Sequence, residues 1–417
     1  MTQLINKTWK LSALLAVAAF ISSGCGDASS SGQAGSDTIK ITPAEDLEHS
    51  SEMKTALIDP PGQTEPDLPP EGSAEWILME LEEQKRPLPA TNDKVALKAA
   101  RKTQNNKIIV KATEIIKLTH EVKEKEKLFT VAVNYLMEAR LNLALLGDAE
   151  AQQALYDDAT SLYERKPKSD AAAIASQVLW RYIRTNASLY SKKEPAWLKE
   201  LAKQSRLFAT NFPNREAKAI SLLYSAGRSC ELHGLKDDAA DCYTLVAHQY
   251  PENKSQQAVQ MASFLRKMNI QGKSLQLAGP TIEGGWVSVG DFKGKVILIV
   301  FWDSKNDQWL KQVDAVDGIA KKYKEYGLKV IGVNLDREEP EVESFLEKHP
   351  LAWTQIFYSD KKLRRWDNPV VKYYGVQKIP LMWLVDHQGK VASNNVQLKT
   401  LEKEVRTLIK ASRSKKE

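Results

Sequence analysis

The feature that restricts the fold of this chain most is a run of seven apolar residues, Val296–Trp302. A continuous apolar run of this length, rich in β-branched residues, is typical of a strand that is buried on both faces. A second such run follows at residues 328–335, after apolar residues with helical spacing at 307–326. Two fully buried strands with a helix between them predict a domain of the α/β class.

The residues after this unit continue the alternation of strand and helix signals. The predicted elements are, in order, a helix at 339–349, an extended segment at 353–357, strands at Leu381–Val385 and 390–392, and a final helix at 400–412. The last two strands are joined by Asp386-His387-Gln388-Gly389, a turn sequence typical of a hairpin. The order β-α-β-α-β-β-α predicts one α/β domain over residues 272–412.

Several short motifs lie at particular places in this pattern. They are Lys293-Gly294-Lys295-Val296, Phe301-Trp302, Gly332-Val333-Asn334-Leu335-Asp336, Tyr374-Gly375-Val376-Gln377-Lys378-Ile379-Pro380 and the hairpin turn. Together they resemble the extracytoplasmic thiol–disulfide oxidoreductases related to alkyl hydroperoxide reductase, over about residues 275–412. The resemblance implies a thioredoxin fold with a cis-proline at Pro380.

The redox motif of that family is missing from this chain. In the family, Phe-Trp is followed after three residues by Cys-x-x-Cys, and the helix that begins there lowers the pKa of the first thiol. Asn306 and Trp309 occupy those two positions, and no cysteine follows residue 242. An amide and an indole cannot perform thiol exchange. We therefore predict a redox-inactive domain without catalytic residues, in which the cluster Asp303, Asn306 and Asp307 caps the start of the helix.

The resemblance also implies a function for Pro380 that does not depend on the thiols. The resemblance implies that a cis-proline leaves the neighbouring backbone groups free to pair with an extended peptide. The sequence predicts a binding surface composed of Trp302, Asn306, Trp309, Ile379 and Pro380. Two alternatives stay open: a proline that only shapes its loop, and tryptophans that pack in the core.

Residues 73–271 follow a different pattern, in which apolar residues recur every three to four positions from Trp76 onwards. Glu, Lys, Ala and Leu, which favour helices, are abundant. Breaks in the pattern fall at Pro87-Leu88-Pro89, Gly147-Asp148, Pro167, Pro195, Pro213 and Pro251. This pattern predicts an all-α domain of stacked antiparallel helices.

One helix pair in this region has a more specific order of large and small residues. The order is Leu223, Ala226, Gly227, Cys230, a turn at Gly234, then Ala239, Tyr243, Val246 and Pro251. It resembles a tetratricopeptide repeat, in which small residues such as Gly227 and Ala239 let two helices approach and Tyr243 fills the groove. Stacked hairpins often present a concave face to peptides or proteins, although a helical spacer is an equal alternative.

Cys230 and Cys242 lie in this helix pair, and three interpretations stay open. They are two small buried residues, a structural disulfide formed in an oxidising compartment, or half of a metal site with His233 and His248. The metal site is disfavoured because six residues turn a helix by about 240°, so Cys242 and His248 point to different sides. We predict neither a metal ion nor another cofactor.

The amino terminus has the features of an export signal over residues 1–25. Lys7 and Lys10 precede a short apolar run at 11–21, followed by small residues and Cys25. This order resembles the lipobox of bacterial lipoproteins, in which Cys25 would carry the lipid, although Ser22 replaces the usual aliphatic residue. Simple secretion and an uncleaved anchor are the alternatives.

Two further segments have no core-forming pattern. Residues 26–72 are rich in Ser, Gly, Asp, Glu and Pro, which predicts a disordered tether. Residues 413–417 form a basic tail. The formal net charge of +6 arises from 59 basic and 53 acidic residues, so binding to nucleic acid receives little support.

The sequence thus predicts an exported multidomain protein, tethered by lipid to the bacterial cell envelope. An all-α, helical-repeat-like domain precedes an α/β thioredoxin-like domain. The predicted role is binding or scaffolding of a protein or peptide partner, with no catalysis. Two alternatives stay open: an envelope thiol–disulfide oxidoreductase-type protein that uses Cys230 and Cys242, and a purely structural envelope component.

Overall fold

The computed structural model describes residues 68–413. The predicted signal with Cys25, the tether up to residue 67 and residues 414–417 lie outside this range. Nine α-helices precede the first strand within the described residues. They are α1 Ala74–Gln84, α2 Lys94–Thr119, α3 Glu126–Leu145, α4 Ala149–Arg165, α5 Asp170–Tyr190, α6 Ala196–Asn211, α7 Glu216–Leu232, α8 Lys236–Gln249 and α9 Gln256–Met268. The helical region is therefore confirmed.

The helices end where the sequence predicted breaks. Between α3 and α4, Gly147 adopts a left-handed φ of 90°, and the Asp148 carboxylate accepts a hydrogen bond from Ala151 N at 3.1 Å. The break between α2 and α3 was not predicted, since neither glycine nor proline marks it. There Glu121 takes the left-handed φ of 64°. None of the described helices is long and apolar enough to cross a membrane.

Each helix packs against the next, and α6 and α7 also contact α8 and α9 respectively. Helices α7 and α8 approach closely: an ideal Cβ on Gly227 would lie 2.4 Å from Cε1 of Tyr243. Tyr243 is fully buried, and its hydroxyl donates to Glu231 Oε2 at 3.1 Å. The close contact predicted for Gly227 and Tyr243 is thus present.

The second region is built around a five-stranded sheet with the strand order β5-β4-β3-β6-β7. The strands are β1 Ala278–Pro280, β2 Trp286–Ser288, β3 Val296–Trp302, β4 Leu328–Asn334, β5 Thr354–Ile356, β6 Leu381–Val385 and β7 Val391–Ser393. The helices are α10 Asp307–Leu310, α11 Val313–Tyr323, α12 Glu339–Lys348, α13 Pro369–Tyr374 and α14 Leu398–Arg413. Strand β3 pairs in parallel with β4 and antiparallel with β6.

The two faces of the sheet have separate cores because side chains alternate along each strand. Ile297, Ile299 and Phe301 of β3 pack on one face with residues of α13. The alternate residues of β3, including Trp302, pack on the other face with residues of α11, α12 and α14. Every residue of β3 is buried, as the apolar run predicted.

Three features of this region differ from the sequence-based expectations. The predicted helix at 307–326 is divided into α10 and α11, and its apolar residue Leu310 is exposed. The β1–β2 hairpin and α13 were not predicted. For α13 a signal was available: the Asn368 side chain caps the helix, Pro369 follows, and Gly375 ends it in a left-handed conformation.

Both edges of the sheet are covered by backbone from this chain. At the β5 edge, Phe357 N donates to Pro280 O at 3.0 Å and Ile282 N donates to Gln355 O at 3.1 Å. At the β7 edge, Gly272 N donates to Val391 O at 2.8 Å. Because the edge groups are paired, neither edge is open for addition of a strand from another chain.

The helical region contacts the sheet domain directly. The Arg266 guanidinium on α9 donates to Tyr373 O on α13 and lies 3.8 Å from the centroid of the Tyr373 ring. Asn394 Nδ2 donates to Lys267 O at 2.9 Å. An ideal Cβ on Gly375 would lie 3.1 Å from Ser263 O, so α9 and the end of α13 are closely packed.

Candidate functional site

The candidate site lies where β3 ends. Parallel strands β3, β4 and β5 have their carboxyl ends at the same end of the sheet. Ligands of open α/β sheets bind most often beyond these carboxyl ends. The loop at 303–306 follows β3, and Ile379 and Pro380 lie beside it, because Leu381 pairs with Phe301 near the end of β3.

Asn306 connects the two loops of this site. Its Oδ1 accepts a hydrogen bond from Trp309 N at 2.9 Å and thereby caps α10, as predicted. Its Nδ2 donates to Ile379 O at 3.4 Å, a long hydrogen bond. Asn306 is half-buried.

The peptide bond between Ile379 and Pro380 is cis, as the family resemblance implied. Both residues are half-buried. The carbonyl of Ile379 contacts the Asn306 amide, and the chain then enters β6 at Leu381. This geometry leaves the backbone before Pro380 at the surface, next to the Asn306 amide.

The structure corrects the prediction for the tryptophans. Trp302 and Trp309 are fully buried, so neither forms part of a binding surface. Their ring centroids are 5.5 Å apart, and Trp302 Nε1 donates to Gln355 Oε1 at 3.0 Å. The alternation of β3 directs Trp302 to the helix-covered face, and the first turn of α10 places Trp309 over it. Trp383 is likewise a core residue.

A buried carboxylate beneath the loop was missed as a site residue by the sequence reasoning. Asp336 is 1% exposed and accepts hydrogen bonds from Ser304 N at 3.1 Å, Ser304 Oγ at 2.7 Å and Asn334 Nδ2 at 2.6 Å. Burial raises the pKa of Asp336 above its ordinary value of 3.8, and the hydrogen bonds oppose that shift. The carboxylate attaches the loop after β3 to the end of β4. A polar residue directly after a buried strand was the available signal.

The groups assembled at this site are an amide, backbone groups, a hydroxyl and a buried carboxylate. Lys305, on the exposed side, forms an ion pair with Glu341 at 2.5 Å. The two cysteines among the described residues lie elsewhere, on α7 and α8. This arrangement can recognise a ligand by hydrogen bonding, and it contains no thiol nucleophile.

Cys230 and Cys242 are free and fully buried in the structure. Cys230 Sγ donates to Leu198 O at 3.5 Å. Burial raises the pKa of Cys230 to about 12 and the pKa of Cys242 to about 11, the opposite of an activated thiol. These observations support the packing interpretation. A disulfide formed under oxidising conditions stays a prediction.

The metal interpretation of this pair gains no support. The His233 ring makes contacts to Ser229 O at 2.8 Å and Ser191 Oγ at 3.2 Å, and His248 is exposed on α8. Within residues 68–413, no group of three or more His, Cys, Asp or Glu side chains is arranged to hold a metal ion.

The sheet domain is similar to known proteins. Residues 294–391 match a family model described as thioredoxin-like. The thiol-disulfide oxidoreductase ResA of Bacillus thuringiensis is 28% identical over 125 residues, which covers 30% of this chain and 68% of the relative. ResA of Bacillus anthracis is 25% identical over 136 residues, covering 33% of this chain and 75% of that protein.

Two solved structures illustrate the same similarity. The thioredoxin domain of a thiol-disulfide oxidoreductase from Bacteroides vulgatus is 24% identical, with coverage of 33% of this chain and 97% of that one and a TM-score of 0.31. A thiol:disulfide interchange protein from Bacteroides sp. is 26% identical, with coverage of 34% and 90% and a TM-score of 0.30. The chain thus combines a helical region with a carboxyl-terminal thioredoxin-like α/β domain.

Proposed function

We propose that this chain is an exported, lipid-anchored binding protein of the cell envelope. Its thioredoxin-like domain binds an extended segment of a protein partner at Asn306, Ile379 and Pro380, without dithiol chemistry. The observation that carries this proposal is the placement of Asn306 and Trp309, which stand where the resembling family has cysteines. Asn306 is a helix cap whose amide faces Ile379, and Trp309 is a core residue.

The contact between Asn306 and Ile379 supports a role in binding rather than in structure alone. At 3.4 Å, the hydrogen bond from Asn306 Nδ2 to Ile379 O is weak, and both residues are partly exposed. A peptide backbone alongside Ile379 can replace this contact with a shorter one. The Asn306 Nδ2 donor is then available to a carbonyl of the peptide.

Site-specific crosslinking tests the binding proposal. A photoreactive residue placed at position 306 of the full chain is expected to crosslink a specific envelope protein upon illumination in native membranes. The control places the same photoreactive residue at Glu325. This exposed position lies just before the amino end of β4, at the end of the sheet opposite to the site. Identical products from both positions, or none from position 306, would contradict a binding site at Asn306.

An insulin-reduction assay with dithiothreitol tests the absence of dithiol chemistry. The full chain is expected to give the same rate as a Cys230→Ser/Cys242→Ser variant, because the site at Asn306 has no thiol. A rate clearly above that of the double variant would show that this chain catalyses thiol exchange.

The second candidate function is thiol–disulfide exchange, which the names of the curated relatives favour. Among the described residues, Cys230 and Cys242 of the helical region are the thiols that could perform it. The burial and the raised pKa of both thiols count against it. In the native protein at pH 8, we expect neither thiol to react with a thiol-specific reagent on the time scale of minutes. Both should react once the chain is unfolded. Rapid reaction of the native protein would favour the oxidoreductase alternative.

The lipid anchor and envelope location are proposed from the sequence, since Cys25 lies outside the described residues. Metabolic labelling with a fatty-acid analogue should label the wild-type chain and leave a Cys25→Ser variant unlabelled. Labelling that survives this substitution would overturn lipidation at Cys25. A purely structural role would be favoured if membrane crosslinking found no specific protein partner.

A further inference from the structure

A cleft of 450 Å³ lies where the helical region meets the thioredoxin-like domain. Helices α8 and α9 form one side, the connection to β1 forms the second, and α13 forms the third. Its apolar lining forms an open floor of Ala247, Ala262, Leu265 and Ile270, in which both alanines are solvent-exposed. Because two of these residues are alanines, the floor leaves room for a side chain supplied by a ligand.

The rim of the cleft is cationic. Arg266 and Lys273 line it, and no Asp or Glu does. Lys273 is exposed, and within residues 68–413 its ammonium group forms no ion pair. The remaining polar lining is neutral and consists of Asn269, Ser274, Gln276, Tyr373 and Tyr374. A cleft with two cations and no carboxylate attracts an anionic ligand and repels a basic one.

The Arg266 guanidinium is held in place before any ligand arrives. It lies 3.8 Å from the centroid of the Tyr373 ring and donates one hydrogen bond to Tyr373 O. A guanidinium has five N–H donors, so others stay available to a carboxylate. An arginine that is already oriented loses less conformational entropy when it binds.

We propose that this junction cleft binds an acidic peptide segment of a partner protein. A large apolar side chain of the peptide lies on the floor next to Ala262, and a neighbouring carboxylate contacts Lys273 and Arg266. The combination of an apolar floor and a few polar groups at a domain junction is typical of ligand sites. Charge complementarity selects an acidic segment as the occupant.

This cleft and the site at Asn306 are separate surfaces. None of Asn306, Ile379 and Pro380 lines the cleft. The two binding proposals can therefore fail independently: loss of crosslinking at position 306 says nothing about the cleft, and substitutions in the cleft leave the Asn306 amide unchanged.

Fluorescence anisotropy with the full chain tests the cleft. The probe is a short labelled peptide in which Asp alternates with Leu and Phe, compared with a counterpart in which Lys replaces every Asp. We expect saturable binding of the acidic peptide at micromolar concentrations and none of the basic one. Because exposed charges are screened, the affinity should fall as salt is added.

Two substitutions locate the binding. Lys273→Glu reverses a charge on the rim, and Ala262→Trp fills the floor. Each substitution is expected to weaken peptide binding by roughly tenfold or more. The first removes a charge-assisted contact, and the second removes the apolar subsite. The matched controls are Lys254→Glu, an exposed lysine, and Gln256→Trp, on the first turn of α9, both outside the cleft. All four positions are exposed, and circular dichroism verifies folding.

Three results would overturn the proposal. The first is the absence of saturable binding of the acidic peptide to the wild-type chain. The second is equal binding of the acidic and basic peptides. The third is an equal loss of affinity in a cleft variant and its matched control, which would place the contact elsewhere on the surface.

Discussion

At the scale of single residues, Trp309 fills space that a cysteine cannot fill. Its indole is fully buried against Trp302, with the ring centroids 5.5 Å apart. Replacing a buried tryptophan by a small residue removes packing contacts and leaves a cavity. Substitution of both Asn306 and Trp309 by cysteine therefore does more than introduce two thiols, because it also removes part of the core beneath α10.

We predict a clear difference between the two single cysteine variants. Trp309→Cys should lower the free energy of unfolding by about 3–5 kcal/mol, as for other buried tryptophans replaced by small residues. Asn306→Cys should lower it by about 1 kcal/mol, the usual effect of losing a helix cap. Urea denaturation followed by circular dichroism measures both values. Equal effects would mean that Trp309 does not support the core as described.

Asp336 gives a second prediction at this scale, concerning pH. Burial raises its pKa in the folded state above the ordinary value of 3.8. A carboxyl group with a raised folded pKa contributes stability while it is protonated, and this contribution is lost as pH rises through the folded pKa. The stability of the wild type relative to an Asp336→Asn variant should thus fall as pH rises from 3 to neutral.

Unfolding free energies of the wild type and of Asp336→Asn, measured in urea across this pH range, test the expectation. The difference between the two proteins isolates the residue, because other titrating groups are common to both. A difference that stays constant with pH, or that grows in favour of the wild type, would contradict a raised pKa.

At the scale of elements, the α7–α8 pair depends on one glycine. A Cβ at Gly227 would lie 2.4 Å from the ring of Tyr243, and both helices are held by further packing. Gly318 on α11 is also helical, but a Cβ there would meet nothing within 4 Å. The two glycines therefore separate the effect of close packing from the intrinsic helix preference of alanine.

Alanine at these two positions should have opposite effects. Gly318→Ala should raise the free energy of unfolding by about 0.5–1 kcal/mol, because glycine is a poor helix former. Gly227→Ala should lower it by about 1–3 kcal/mol, because the added methyl group overpacks the interface with Tyr243. Chemical denaturation of the two variants provides the comparison. A Gly227→Ala variant that is more stable than the wild type would show that α7 and α8 can move apart without a loss of packing energy.

At the scale of the whole molecule, the packing of α9 on α13 connects the two described regions. Gly375 has a φ of 60°, and a Cβ there would lie 3.1 Å from backbone atoms of Ser263 on α9. Gly389 in the β6–β7 turn has a φ of 78°, with nothing within 4 Å of such a Cβ. Both positions disfavour alanine because of the left-handed backbone, but only Gly375 faces the other region.

We predict that Gly375→Ala destabilises more than Gly389→Ala. In both variants, backbone strain should lower the free energy of unfolding by about 1–2 kcal/mol. Gly375→Ala should lose at least about 1 kcal/mol more, because the methyl group must displace α9. The measurement is again the free energy of unfolding in urea. Equal values for the two variants would indicate that α9 and α13 can move apart at their junction without a loss of stability.

Features that depend on local pattern could be predicted from the amino-acid sequence. The apolar run at Val296–Trp302 identified a strand buried on both faces, and prolines and glycines marked most helix ends. The positions of Asn306 and Trp309, and the absence of cysteine after residue 242, are direct properties of the chain. Each of these follows from residues close together along the chain, where periodicity and conformational preference act.

Which side chains meet became clear only from the three-dimensional structure. It placed Trp309 in the core rather than at a surface, and it buried Asp336 beneath the loop at 303–306. The junction cleft also arises only when α9 and α13 pack together. Hydrophobic side chains that could serve a surface or a core are distinguished by the elements that come to cover them. Those elements are distant along the chain, so local pattern alone carries no information about them.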